Sequence, residues 1–383
     1  MKTVGIICEY NPFHLGHARQ FRLIRDMFGA DAQIVCVMSG NYVQRGMPAM
    51  WDKSTRAAAA LRSGADLILE LPITGVLQSA EGFAHAGTEI LSRLGCVDIL
   101  CFGAECGNAD ILMRMANQMD DPEFLKTLKE KLNEGLPYAA ARQIALQDKE
   151  NLLHSPNNIL GLEYCRAILQ LQSNLMPIAV TRNGDYHASS ADKEAPSATA
   201  VRAQFPCGDW EIYVPECVAS VLKSAPWYDI SFGERALLAR LRGLADSEWM
   251  TCAHGSEGLW SKAMQASRSE TTYSSILDAV KSKRYPRTRI QRLLLCAYLG
   301  ISSQDLLQKI PYVRVLAAGD RGRELLRSAK KQGDLPLVNA GQTPLDQNYY
   351  RMECRASDLY TLFACTDAPP LCKTEQNRRI ILR

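Results

Sequence analysis

The chain has 383 residues, 47% of them apolar and 22% charged, with a formal net charge of +3. That length suits two or three domains with cores of their own, and the composition gives no sign of bulk disorder. No run of about 18 apolar residues occurs, so no membrane-spanning helix is expected.

The first residues carry one lysine and then a short apolar run broken by Glu9, which does not read as a signal peptide. The 13 cysteines are odd in number, scattered and without a CxxC pair. Reduced thiols in a cytoplasmic protein are therefore expected, rather than a disulfide framework. Cys96, Cys101 and Cys106 do not have the spacing of a zinc site. Charge is uneven along the chain: residues 206–383 hold 25 Lys and Arg against 19 Asp and Glu, whereas residues 1–205 hold 19 against 22. A basic second half permits a polyanionic partner without requiring one.

In chain order, residues 4–8 (VGIIC) form a short apolar run of the kind a buried parallel strand shows. Pro12 cannot continue a central strand, because it lacks the N–H a ladder needs. His14-Leu15-Gly16-His17 follows, and residues 18–27 read as a helix with Phe21, Leu23, Ile24 and Met27 apolar. Two histidines and a glycine thus sit where a first strand turns into a first helix. A helix start exposes unpaired N–H groups and partial positive charge, which together attract anions. Gly16 removes a side chain where a phosphate would approach, and His14 and His17, three apart, can both face it as donors.

Residues 33–38 are a second strand, running into Ser39-Gly40-Asn41, and residues 52–63 read as a helix. Residues 65–71 are a third strand, closed by Pro72. Residues 81–94 are helical, and 97–102 are a fourth strand ending at Gly103. Strand and helix alternating at short intervals predict an α/β fold with a doubly wound parallel sheet, whose ligands lie beyond the carboxyl ends of the strands. Residues 110–147 read as helical and charged. Ser155 and Pro156 suit the N-cap and first position of another helix, which opens with Asn157 and Asn158. Those asparagines either serve a ligand or satisfy their own backbone. Residues 177–181 are a further strand with Arg182 at its carboxyl end, and a helix begins in residues 197–202 (SATAVR).

A boundary is expected at residues 206–209, dividing the chain into domains 1–205 and 206–383. Beyond it the pattern is mainly helical: 232–244, 259–266, 273–283, 287–299 and 303–310. Residues 281–292 (KSKRYPRTRIQR) hold six basic residues and no acid. Lys281, Lys283, Arg284, Arg287 and Arg289 could neutralise phosphates there, while Tyr285 could stack on an unpaired base. The plain alternative is a solvated helix start ahead of Ile290, Leu293 and Leu294. Arg314, Lys330 and Lys331 could extend the basic surface.

The string Asn11-Pro12-Phe13-His14-Leu15-Gly16-His17 resembles the N-P-F-H-x-G-H form of the nucleotidyltransferase histidine motif, and Ser197 to Arg202 resembles the S-x-T-x-[IV]-R motif that closes such a domain. Together with MSGNYVQRGMPA (38–49), Lys53 and Arg56, DLILELP (66–72), Phe102 to Glu105, SPNNILGLEY (155–164) and Asp185-Tyr186-His187, the first half resembles the bacterial tRNA(Met) cytidine acetate ligases. The resemblance implies a nucleotidyltransferase Rossmann-like domain followed by a mainly α-helical, tRNA-binding one. It implies activation of acetate by ATP as acetyl-adenylate, then acetyl transfer to N4 of the wobble cytidine of elongator tRNA(Met). The implied ATP site is Ile7, Glu9, Tyr10, Asn11, Pro12, Phe13, His14, Gly16, His17, Gln20, Gly103, Asn157, Asn158, Arg182, Ser197, Thr199 and Arg202. Among these, His14 and His17 would be catalytic, and Ser197, Thr199 and Arg202 would meet the β- and γ-phosphates. Mg²⁺ is expected with the ATP, with no protein ligand assigned to it. Arg45 and Lys53 are possible partners for acetate or tRNA, or ordinary surface groups. Two other readings share the ATP site: a small-molecule adenylyltransferase, and a non-catalytic RNA-binding protein that has kept the fold.

Overall fold

A computed structural model describes residues 1–148, 150–181 and 196–383. Arg182 and the string Asp185-Tyr186-His187 lie outside the described residues. Among the described residues there are ten strands: β1 Thr3–Cys8, β2 Gln33–Ser39, β3 Tyr42–Val43, β4 Met47–Pro48, β5 Leu67–Leu71, β6 Ile99–Ala104, β7 Met176–Thr181, β8 Val313–Ala318, β9 Leu337–Asn339 and β10 Ile381–Leu382. The main sheet runs in the order β10-β8-β5-β2-β1-β6-β7, with β9 beside β8. β3 and β4 form a separate small hairpin.

All pairings in the main sheet are parallel except β5 with β8. β1 is buried along its whole length, as a central parallel strand covered on both faces must be. Its side chains divide by parity. Val4, Ile6 and Cys8 join one apolar cluster, and Ile7 joins the other. Close packing of the covering helix Ala80–Arg93 needs two glycines. A Cβ on Gly5 would lie 2.7 Å from Leu91, and one on Gly87 would lie 2.7 Å from Ile7.

The alternation expected for the first half is observed, with shifted ends. The first helix starts earlier than its apolar pattern, at Leu15–Phe28, because His14 caps it. The charged stretch 110–147 resolves into three helices, Ala109–Gln118, Pro122–Asn133 and Tyr138–Ala145. In the second half the expected 287–299 helix is observed as Arg287–Leu299, while 273–283 stops at Val280.

The boundary expected at residues 206–209 does not separate the sheet from the helices. Residues 313–383 return to the sheet and complete its edge with β8, β9 and β10. Arg314 interrupts the apolar run of β8 and hides it in the sequence pattern. In the fold that arginine is 1% exposed and lies 3.1 Å from Glu353, with Glu70 and Glu375 also within ion-pair distance. Arg314 is therefore interior, not part of a basic surface. Lys53 is likewise sealed inside, 2.6 Å from Glu70 and 2.7 Å from Glu375, so it is no acetate or tRNA contact.

Candidate functional site

The carboxyl ends of β1 and β6, the start of helix Leu15–Phe28, the start of helix Ala198–Gln204 and one face of helix Arg287–Leu299 surround a cleft of about 540 Å³. It is built first from the histidines. His14 is the N-cap of its helix: its Nδ1 accepts from the Gly16 N–H at 3.1 Å. Nδ1 of His17 accepts in turn from the His14 N–H at 3.2 Å. Two otherwise orphaned helix-start donors are satisfied reciprocally. Because each Nδ1 is an acceptor, each neutral ring carries its proton on Nε2. The rings stack with centroids 3.7 Å apart, so the two Nε2 donors are held as a pair.

The second motif reaches this corner from far along the chain. Arg202 Nη1 donates to the carbonyl of Asn11 at 2.5 Å, and its Nη2 donates to Thr199 Oγ1 at 3.2 Å. Ser197 Oγ accepts from the Ala200 N–H at 3.1 Å, capping its short helix. Asn11 itself is locked by its Oδ1, which accepts from the Met50 N–H at 2.8 Å.

Arg56 holds the floor. It is fully buried and donates to the carbonyls of Glu9 and Trp51 at 2.6 and 2.9 Å, and also to that of Gly40. One guanidinium thus satisfies carbonyls at the ends of both β1 and β2. Glu9 lines the cleft, and its Oε1 accepts from the Gln44 N–H at 2.6 Å. Burial pushes its carboxyl above the ordinary range, while that N–H and the charges of Arg56, Arg202 and Arg45 pull the other way.

Of the residues expected from sequence, Ile7, Glu9, Tyr10, Asn11, His14, Gly16, His17, Gln20, Gly103, Asn157, Ser197, Thr199 and Arg202 all line this cleft. Gln20 Nε2 donates to the Cys101 carbonyl at 3.4 Å, and Asn157 Nδ2 to Glu105 Oε1 at 2.7 Å. Three expected residues do not line it. Phe13, 1% exposed, packs against Tyr10 and Phe21 beneath the turn, with ring centroids 4.9 and 5.4 Å away. Pro12 is buried beside it. Asn158 is buried too, and serves backbone: its Oδ1 accepts from the Cys106 N–H and its Nδ2 donates to the Leu152 carbonyl, both at 3.0 Å.

Sequence reading missed what the second half contributes. Thr288 and Arg292, four apart on helix Arg287–Leu299, line the cleft with Gln44 and Arg45. Arg292 lay within the basic run, where nothing in the pattern separated a buried arginine from a solvated one. In that run Lys281, Lys283 and Arg284 are exposed. Arg287 pairs with Asp278 at 2.7 Å and Arg289 with Glu257 at 2.9 Å. Tyr285 is buried, its hydroxyl donating to the Glu257 carbonyl at 2.5 Å, so the expected base-stacking ring is not on offer.

Residues 1–374 match the HIGH Nucleotidyl Transferase family. The tRNA(Met) cytidine acetate ligase of Acetivibrio thermocellus is 33% identical, over 98% of this chain and 98% of that one. This chain belongs to the tRNA(Met) cytidine acetate ligase family of HIGH nucleotidyl transferases. Its fold agrees with that of solved structures at full length. Apo Thermotoga maritima TmcAL gives a TM-score of 0.92 at 28% identity, covering 100% of this chain and 99% of that one. The same Thermotoga protein bound with alpha-thio ATP gives 0.90 at the same identity and coverage. No helix among its described residues is long and apolar enough to cross a membrane.

Proposed function

We propose that this protein activates acetate with ATP and acetylates N4 of the wobble cytidine of elongator tRNA(Met), in the cytoplasm. The observation that carries the reading is the 2.5 Å hydrogen bond from Arg202 to the Asn11 carbonyl, which joins the two phosphate-binding stretches in one cleft. An acetate oxygen attacks the α-phosphorus of ATP. The bond to the bridging oxygen breaks, and pyrophosphate leaves. The N4 amine then attacks the acetyl carbon, the bond to the AMP oxygen breaks, AMP leaves and the amine loses a proton. No protein nucleophile is needed, so catalysis is alignment plus stabilisation of moving charge.

His14 and His17 supply Nε2–H donors to the phosphates, and Arg202 and Thr199 meet the leaving pyrophosphate. Gly16 keeps the turn open to them: a Cβ there would lie 2.9 Å from the His14 ring. Gly103 lies at the carboxyl end of β6, where adenosine would rest. Mg²⁺ enters as the ion carried by the triphosphate. Among the described residues no three His, Cys, Asp or Glu side chains converge as a metal cage. Lys281, Lys283 and Arg284, exposed on the helical layer, are the proposed tRNA phosphate contacts. The wobble base must be unstacked to enter, which an anticodon loop allows more easily than a duplex.

The test is acetate-dependent exchange of labelled pyrophosphate into ATP, followed by transfer of labelled acetate to elongator and initiator tRNA(Met). Label in the elongator form alone is expected. Absence of exchange with acetate would exclude the ligase and leave the RNA-binding reading. Exchange driven by a phosphorylated small molecule instead would favour the adenylyltransferase.

A further inference from the structure

We infer that Arg292 is the receptor for the acetate carboxylate, a role that rests on the ligase reading above. Arg292 is 8% exposed and lines the same cleft as the histidine pair. A buried guanidinium is ordinarily matched by a carboxylate, because an unpaired interior charge is costly. Most other buried or nearly buried cations among the described residues obey that rule: Lys53 has Glu70 and Glu375, Arg142 has Glu163, Arg314 has Glu353, and Arg378 has Asp52. Arg56 instead spends its donors on carbonyls.

Arg292 has no such set of partners. Among the described residues it forms no ion pair, its Nε has no hydrogen-bond partner, and its one bond is a long 3.5 Å contact from Nη1 to the Gln44 carbonyl. Burial, with Arg289 adding to it, lowers its pKa to about 10, which still leaves it charged at neutral pH. A planar fork of donors facing a cleft, with no resident acid, is the complement of a small planar carboxylate.

Place and size favour acetate over a phosphate. The phosphate-binding groups stand on the first half of the chain, whereas Arg292 comes across from helix Arg287–Leu299. A guanidinium this buried is open to a small ion but not to the backbone of a tRNA. Gln44 links it to the nucleotide corner: its carbonyl takes the contact from Arg292, and its N–H donates to Glu9 at 2.6 Å. Val43, next in the chain, lines the cleft and offers apolar surface to a methyl group. Thr288, one turn away on the same helix face, adds a hydroxyl.

The test compares Arg292→Gln and Arg292→Lys with the wild type in acetate-dependent ATP–pyrophosphate exchange, varying acetate, ATP and, in the transfer assay, tRNA. Arg292→Gln is expected to raise the KM for acetate by about 30-fold or more, with the KM for ATP changed less than about threefold. Arg292→Lys, which keeps the charge but loses the fork, is expected to raise the acetate KM by about tenfold. Should Arg292→Gln fail to fold, the lysine variant carries the same test. An unchanged acetate KM, or a rise confined to the KM for tRNA, would overturn the assignment while leaving the ligase standing. A wild type without acetate-dependent exchange would remove both.

Discussion

Lys53 and Glu375 meet at 2.7 Å although more than three hundred residues separate them in the chain, and both side chains are almost wholly out of water. Around them Glu70, Arg314, Glu353 and Arg378 complete a buried ionic network. Lys53 opens the helix Lys53–Arg62 after β4, and Glu375 stands on the segment that leads into β10. The network therefore fastens the returning end of the chain to the first half. Burial alone would raise the Glu375 carboxyl, but Lys53, Arg378 and Arg314 hold it down to about 2. Lys53→Met should leave Glu70 and Glu375 short of a counter-charge and cost about 3–5 kcal/mol of stability. Urea unfolding of the two proteins measures this, and a loss below about 1 kcal/mol would mean that the network relaxes around the gap.

His254 links the helical layer to the first half through a 2.6 Å hydrogen bond to the Leu77 carbonyl. Burial, with help from Arg292, lowers its pKa to about 4. The unfolded chain therefore binds a proton at a higher pH than the folded one. The stability this gives is complete above the unfolded pKa of about 6.5, and is lost as pH falls from there toward 4. The ring is only partly sealed from solvent, so the loss between pH 7 and pH 5 should be about 1–2 kcal/mol. Unfolding midpoints across that range should fall less steeply for His254→Gln than for the wild type.

Much of the candidate site was readable because it is local. The string from Asn11 to His17 contains its own turn, cap and donors, and hydrogen bonds within it orient the two histidines. The strand-helix alternation was readable for the same reason. What escaped reading depends on partners far away. Arg314 looks like a surface arginine until Glu353 is placed beside it, and β8 disappears from the pattern with it. Tyr285 looks like a stacking platform until Glu257 takes its hydroxyl. Asn158 was ambiguous from its helix position, and the backbone of Cys106 and Leu152 decided it. Charge type alone does not tell a buried ion from a solvated one.

The two histidines should separate by stability and rate. His14 caps its helix and is 1% exposed, so His14→Ala should cost about 1 kcal/mol of stability as well as activity. His17 is less buried and is not the residue that caps the helix, its Nδ1 accepting from the His14 N–H, so His17→Ala should act chiefly on rate. Removing one preorganised donor to a charge-developing phosphate costs about 10²–10³ in kcat. Acetate-dependent exchange measures this. A His17→Ala enzyme within about threefold of wild type would remove that histidine from the chemistry.

Gly46 gives a handle on Arg292 without replacing it. Gly46 has φ +79, and a Cβ there would lie 2.5 Å from the Arg292 backbone nitrogen. Gly46→Ala is therefore strained twice, by its own dihedral and by the helix it meets. The helix must shift, carrying Thr288 and Arg292 away from the nucleotide corner. The expected result is a raised acetate KM with a smaller change in the KM for ATP, together with a lower melting temperature. Equal change in both constants would mean that the shift spreads through the whole cleft.

Lys281, Lys283 and Arg284 are the exposed members of the basic run, whereas Arg287 and Arg289 are already engaged with Asp278 and Glu257. The first three are thus the ones able to release counterions on binding RNA. Arg284 lies 3.9 Å from Glu257, but it is more than half exposed and so only weakly held. Replacing all three by alanine should weaken tRNA binding and reduce the slope of log K against log salt by about two to three. Single changes at Arg287 or Arg289 should alter binding less, and Arg289→Ala should destabilise the turn that holds Ser256 and Glu257. Pyrophosphate exchange uses no tRNA and should stay unaffected by the triple change. A triple variant with an unaltered salt slope would place the tRNA on another face of the protein.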